Sequence, residues 1–518
     1  MINNDTTANE ILENDDKLND QDLIDLVSAD LIKLLKEKPL DIYFNQKESG
    51  SESDNNSTKK STYDAINFKL NPKDIVQHLD DYVISQDEAK KTLAIAICDH
   101  MNMIKQCMNN PHQDYSKQNV LMLGPSGVGK TFLIKCIADL IGIPFIKSDA
   151  TKFTETGYQG SDVEDLVRQL IKKDKDLAKY GIIYLDEVDK IAGSASTKHK
   201  DVGGRGVQAN LLKLLEETDV PVRAAWDMQS QMKAMMGGQS NEEETISTKH
   251  ILFILSGAFV GLEDLIQKRE QGSKFGFDRE YDGKSTQTPS LHRVKTDDLV
   301  KYGFETEFIG RLPVRVCCDP LTKDDLIHIL KDSKSSYLKQ CTVAFEGYGI
   351  EAFVVPETFE IIADEAIKEE TGARALMTVI EKTVRDFKYE LPSSDCKYLL
   401  ITPDMIHNPQ PYLQSLLKDP EKAKKKFMDT YFSAFESILS ERIQFPIKLN
   451  KAAREFWIEQ HQTMNLPLRE LHKEFMHRFL QVQDHIPRDK AQFTITKTHA
   501  TWSNDDWKKW VYRQEDES

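Results

Sequence analysis

Gly124-Pro125-Ser126-Gly127-Val128-Gly129-Lys130-Thr131 stands between the apolar run VLML (120–123) and TFLIKCIADLIG (131–142), whose apolar residues recur at helical spacing. The stretch reads as strand, glycine-rich loop and helix, with the pattern GxxxxGK[ST]. Its glycines let the backbone wrap closely, so that several N–H groups point at phosphates, and the helix N-terminus adds partial positive charge. Lys130 is placed to reach the β- and γ-phosphates of ATP, and the Thr131 hydroxyl to bind Mg²⁺. Gly124 to Thr131 is therefore the expected nucleotide loop.

Downstream, IIYLDE (182–187) sets Asp186 and Glu187 at the end of another apolar run. A carboxylate at the tip of a neighbouring strand can hold Mg²⁺, which gives Asp186 that role. The adjacent Glu187 can polarise the attacking water as general base. PFIKSDA, HILFILSG and LPVRVCC read as further short buried strands with helical patterns between several of them. The expected fold class is α/β, a P-loop NTPase large domain with a parallel sheet covered on both faces.

At 518 residues the chain is too long for one core, and about three domains are expected. Residues 1–62 read as an acidic appendage and linker with one amphipathic stretch, DLIDLVSADLIKLLKEK (22–38). Residues 63–315 form the ATPase domain, and 316–405 a small α+β lid with two strand-like runs, GIEAFVV and CKYLLIT. Residues 406–518 are helical in period and hold four of the five tryptophans. There FMDTYFSAFESIL carries Phe427, Tyr431, Phe435 and Ile438 along one stripe, read as a small helical subdomain or a docking surface.

The balance of 68 basic and 84 acidic residues, a net charge of −16, disfavours a nucleic-acid motor. No apolar run reaches the roughly 18–20 residues of a membrane span. The N-terminus has neither a secretory nor a transit pattern. Seven cysteines without a CxxC are expected as buried thiols in a reducing cytoplasm.

Around the two nucleotide motifs, several ordered segments resemble the ClpX family of AAA+ unfoldases. They are LNPKDIVQHLDDYVISQDEAKKTLAIAICDH (70–100), FIKSDATKFTETGYQGSDVEDLV (145–167), GRGVQANLLKLLEET (204–218), ILFILSGAFVGLEDLI (251–266), GFETEFIGRLPVRV (303–316) and TGARALMTVIEKTV (371–384). The resemblance implies the AAA+ fold with its lid, a homo-hexameric ring, protein substrates threaded through a pore, and a ClpP-type peptidase partner. It places Val83 and Ile84 against adenine, with Ser85 where the family usually has glycine. Arg311 takes the place of the arginine finger that completes a neighbouring subunit's site, and Arg374 that of the lid arginine sensing the γ-phosphate. Tyr158, within Gly157-Tyr158-Gln159-Gly160, is the implied pore aromatic, and 198–208 falls where a second pore loop lies, with Arg205 replacing glutamate. HslU is set aside because the interval between Lys130 and Asp186 has no room for its insertion.

Some features depart from that family. The first cysteine is Cys98, so no N-terminal zinc module is expected. Residues 223–245 are methionine-rich and acidic where a basic loop is usual, which predicts different tag preferences. Phe275-Gly276-Phe277 replaces an aliphatic-Gly-Phe peptidase-docking tripeptide, and overfilling a snug pocket typically costs about 1–3 kcal/mol. The expected function is an ATP-hydrolysing unfoldase and translocase; a nucleotide-switched scaffold is the alternative.

Overall fold

The apolar runs become strands. In one unit of the computed structural model these are β1 (Val120–Leu123), β2 (Phe145–Asp149), β3 (Ile182–Asp186), β4 (Asp219–Pro221), β5 (Thr245–Ser247), β6 (Leu252–Gly257) and β7 (Val314–Cys317). In a second unit they are β8 (Glu351–Val354), β9 (Tyr398–Ile401), β10 (Ile447–Leu449) and β11 (Phe493–Ile495). The structure describes residues 68–109, 117–153, 162–193, 202–222, 245–272, 291–464, 466–487 and 491–517. Among these, residues from 68 to 322 with 371–374 make the first unit, and 323–370 with 375–517 the second.

The first unit is built on a five-stranded sheet ordered β2-β3-β6-β1-β7, with every pairing parallel. Both faces are buried. Leu121, Leu123, Ile183, Leu185, Phe253 and Leu255 fill one core, while Val120, Met122, Ile182, Tyr184, Leu252 and Ile254 fill the other. A two-residue side-chain period explains this split and the absence of polar alternation in the sequence. The chain leaves β1 toward β2 on one flank and later adds β7 on the other. The C-terminal edge of β1 therefore lies at a topological switch point, where open parallel sheets bind ligands.

In the second unit β8 and β9 pair in parallel, and an aromatic core covers them. The helix Pro420–Ile443 starts where the Asp419 side chain accepts the Lys422 N–H and proline occupies the first turn. It buries Phe427, Tyr431 and Phe435 along one stripe. The ring of Phe353 meets Tyr431 edge-on at 5.2 Å, and Tyr398 lies 5.4 Å from Phe427. Trp457, Phe475, Phe479 and Trp507 complete the core. Polar ties join the same parts: the Leu468 N–H donates to Glu351 at 3.0 Å, and Arg469 pairs with Glu346 at 2.6 Å. The stripe expected from sequence is thus a packing face. The parallel pair β10–β11 was not anticipated there.

No helix among the described residues is long and apolar enough to cross a membrane. All seven cysteines are free. Five are buried, whereas Cys107 and Cys317 are partly exposed, a correction to the expectation of uniform burial. Burial pushes the thiols of Cys98 and Cys136 up to about 11.

Candidate nucleotide site

The loop after β1 turns through left-handed backbone at Gly127 (φ 78°), which opens a path for the chain to approach closely. A Cβ there would sit 2.0 Å from the Thr371 carbonyl oxygen, and the Ala373 N–H donates to the Gly127 carbonyl at 2.9 Å. Gly129 caps the helix Lys130–Ile141. The Lys130 ammonium donates to the carbonyls of Gly124 and Pro125 at 2.6 and 2.7 Å. Burial pulls its pKa below the usual lysine range. Arg374 comes to the same loop, donating to the Ser126 hydroxyl at 3.3 Å.

Beside the loop, three hydroxyls and one carboxylate form a closed circuit of polar contacts that carries three hydroxyl protons, so Tyr184 donates to one of its two hydroxyl neighbours. Thr131 donates to Asp186 Oδ2 at 3.0 Å, and the Ser256 hydroxyl donates to Asp186 Oδ1 at 2.7 Å. The Tyr184 hydroxyl lies 2.6 Å from Ser256 and 3.1 Å from Thr131. Burial raises the pKa of Asp186, but the bonds from Ser256, Thr131 and the Glu187 N–H outweigh it and leave the carboxyl below its ordinary value. Asp186 therefore stays ionised beside the Thr131 hydroxyl. Two such oxygen donors suit a hard cation such as Mg²⁺, which is usually shared between one or two protein groups and phosphates. Lys147 lies 3.7 Å from Asp186.

Glu187 ends β3 in left-handed backbone (φ 56°), which stops the strand and leaves its side chain exposed. Val83 is buried in the same core cluster as Val128 of the loop, and Ile84 is half-buried. Ser85 has φ 55°, so serine adopts the conformation for which glycine is the usual choice. The next residue, Gln86, exchanges two hydrogen bonds with the Asp319 backbone, at 2.8 and 2.9 Å.

Arg311 is at the other edge of the sheet. Asn119, just before β1, donates to the Arg311 carbonyl at 3.1 Å, and Val120 pairs with Val314. Four residues of β1, about 13 Å at strand rise, separate that edge from the phosphate loop. The Arg311 guanidinium pairs with Glu216 at 2.6 Å. Arg205 lies on the helix Val202–Leu215 and pairs with Glu305 at 3.1 Å. Tyr158, Phe275-Gly276-Phe277 and most of 223–245 lie outside the described residues, as does the segment 22–38.

Sequence reasoning missed Tyr184, Ser256 and Asn119. Ser256 alone gave a signal: it is the single hydroxyl in the apolar run HILFIL-Ser-Gly, one residue before that strand's end.

A family model described as "AAA domain (Cdc48 subfamily)" matches residues 115–315, and one described as "C-terminal, D2-small domain, of ClpB protein" matches 321–395. The "ATP-dependent Clp protease ATP-binding subunit ClpX" of Borrelia duttonii (strain Ly) is 39% identical over 349 residues, 65% of this chain and 78% of that protein. The protein of the same name from Treponema denticola is 38% identical over 351 residues, 65% of this chain and 81% of its own length. With identity at this level across most of each relative, and a phosphate loop and acidic strand end built as described, the chain belongs to the ClpX family of AAA+ proteins and is an ATP hydrolase.

Proposed function

We propose that this chain is an ATP-dependent protein unfoldase and translocase, assembled as a homo-hexamer and delivering polypeptide to a ClpP-type peptidase. The observation that carries the reading is the position of Arg311. It lies near the start of β1, at the opposite end of that strand from its own phosphate loop, which supports a role in the site of another copy.

Within one site, the loop N–H groups and Lys130 bind the phosphates. Thr131 and Asp186 would hold Mg²⁺, whose charge when bound offsets that of the triphosphate. Glu187 accepts the proton of the attacking water, and its exposed carboxylate is free to turn toward it. The neighbour's Arg311 meets the charge that develops on the transferred group, a contribution of about 10³–10⁵ in rate in related chemistry. Arg374, already at Ser126, reports the γ-phosphate to the lid. Val83 and Ile84 hold adenine. Tyr158 then grips the polypeptide by apolar and π contact, which is largely indifferent to sequence. Phe275-Gly276-Phe277 supplies the peptidase plug.

Two variants test this together. Glu187→Gln should keep ATP binding and ring assembly while hydrolysis falls by about a thousandfold, as when a general base and its positioning are lost. Tyr158→Ala should spare hydrolysis and abolish unfolding of a tagged fluorescent protein. Unfolding by the Tyr158→Ala protein at the unmodified rate would refute threading. A full biological effect from Glu187→Gln trapped with ATP would favour a nucleotide-switched scaffold.

A further inference from the structure

We propose that Glu216 is a positioning residue for hydrolysis, holding the Arg311 guanidinium at the subunit edge where a second copy can use it. The proposal deepens the reading above and rests on Arg311 acting on a neighbouring site.

The geometry begins with the helix Val202–Leu215, at whose C-terminal end Glu216 stands. The backbone there is clamped from two sides. Lys117 donates to the carbonyls of Leu214, Glu216 and Thr248 at 3.0, 3.1 and 2.8 Å. Asn119 donates to the Leu215 carbonyl at 3.3 Å and, from the same amide, to the Arg311 carbonyl at 3.1 Å. One buried side chain thus fixes the helix end and the arginine's backbone relative to each other. Across this clamp Glu216 Oε1 meets Arg311 Nη2 at 2.6 Å, while the arginine side chain remains 55% exposed. The contact uses one guanidinium nitrogen of a planar fork that carries five N–H donors.

A surface ion pair alone contributes little. Here both backbones are fixed, so the pair selects among the many rotamers of a long side chain instead of having to hold two mobile chains together. The other end of the helix is tied to the same segment. Arg205 pairs with Glu305 at 3.1 Å, and Gln208 accepts the Glu305 N–H at 2.9 Å. Residues 305–311 are therefore laced along the helix, and a shift of the helix must carry Arg311 with it.

The test is steady-state ATP hydrolysis by the full chain carrying Glu216→Ala, Glu216→Gln, Arg311→Ala or the Glu216→Ala/Arg311→Ala pair. Assembly state and unfolding midpoint are followed alongside. Glu216→Ala should lower kcat about tenfold with KM for ATP and assembly unchanged. Glu216→Gln, which keeps an acceptor at the same reach, should recover most of the loss. The double variant should be no slower than Arg311→Ala, because the two residues act as one unit. An unchanged or raised kcat in Glu216→Ala, or a further tenfold loss on top of Arg311→Ala, overturns the proposal. An Arg311→Ala protein with full hydrolysis would instead remove the reading beneath it.

Discussion

The sheet edge around Asp186 and the aromatic core around His472 both bury polar groups, and they handle them in opposite ways. At Asp186 each polar atom meets another, and the ring Thr131-Tyr184-Ser256-Asp186 closes on itself beside an exposed glutamate. In the second unit His472 is fully buried, stacked 4.0 Å from Phe435 and edge-on to Trp457 at 4.5 Å. Its Nδ1 lies 3.2 Å from the Tyr431 hydroxyl, while Nε2 lacks a hydrogen-bond partner. Burial pulls its pKa down to about 3, so the ring stays neutral and packs as an aromatic. The first region gives up apolar contact for polar order, which chemistry requires. The second tolerates an unsatisfied atom within dense ring packing, and its product is cohesion.

If that contrast holds, damage to one region should be read out in that region. The largest effect is expected from Gly127→Ala. The new Cβ would lie 2.0 Å from the Thr371 oxygen on left-handed backbone, so the loop and residues 371–374 must part. Nucleotide affinity measured by calorimetry should fall more than about a hundredfold, since lost loop geometry removes several charge-assisted bonds at once. Hydrogen exchange in the helix Pro420–Ile443 should be unaltered. Trp457→Ala comes next. Truncating a buried tryptophan typically costs about 3–5 kcal/mol, and here it should appear as a lower unfolding midpoint for residues 323–517. Protection of β1 and β3 should persist. Loss of protection in both places would mean that the two regions are one cooperative body.

The smallest effect concerns Glu346, whose carboxyl is pushed up to about 7. Burial is the main cause, outweighing the attraction of Arg469. Between its ordinary value of 4.5 and about 7 the fold binds a proton that the unfolded chain has released. Stability must therefore fall as pH rises through that window, by up to about 3 kcal/mol. Glu346→Gln should flatten this slope in urea titrations at pH 4.5 and 7, without altering nucleotide affinity.

How much of this was readable beforehand follows from the range of the interactions. The phosphate loop was legible because all its parts lie within eight consecutive residues, and the sheet because each parallel strand is an uninterrupted apolar run. The Ser256 and Tyr184 partnership was not, because parallel register creates it between strands some 70 residues apart. Asn119 was hidden for the same reason: its partners Leu215, Phe253 and Arg311 are distant in sequence. The aromatic stripe of residues 427–438 was visible, but periodicity could not say that it covers the lid strands. β10 and β11, three residues each, are too short to leave a two-residue alternation.

The strand order also governs when the enzyme can come into being. Asn119 waits for Phe253, 134 residues further along, before β1 has its first neighbour in β6, and then for Arg311, 192 residues along, before β7 supplies the second. At ribosomal speeds of about 5–20 residues per second, the apolar β1 stays unpaired on the order of ten seconds. Of the five strands, the one that later cradles the triphosphate is therefore the one left longest without a partner during synthesis.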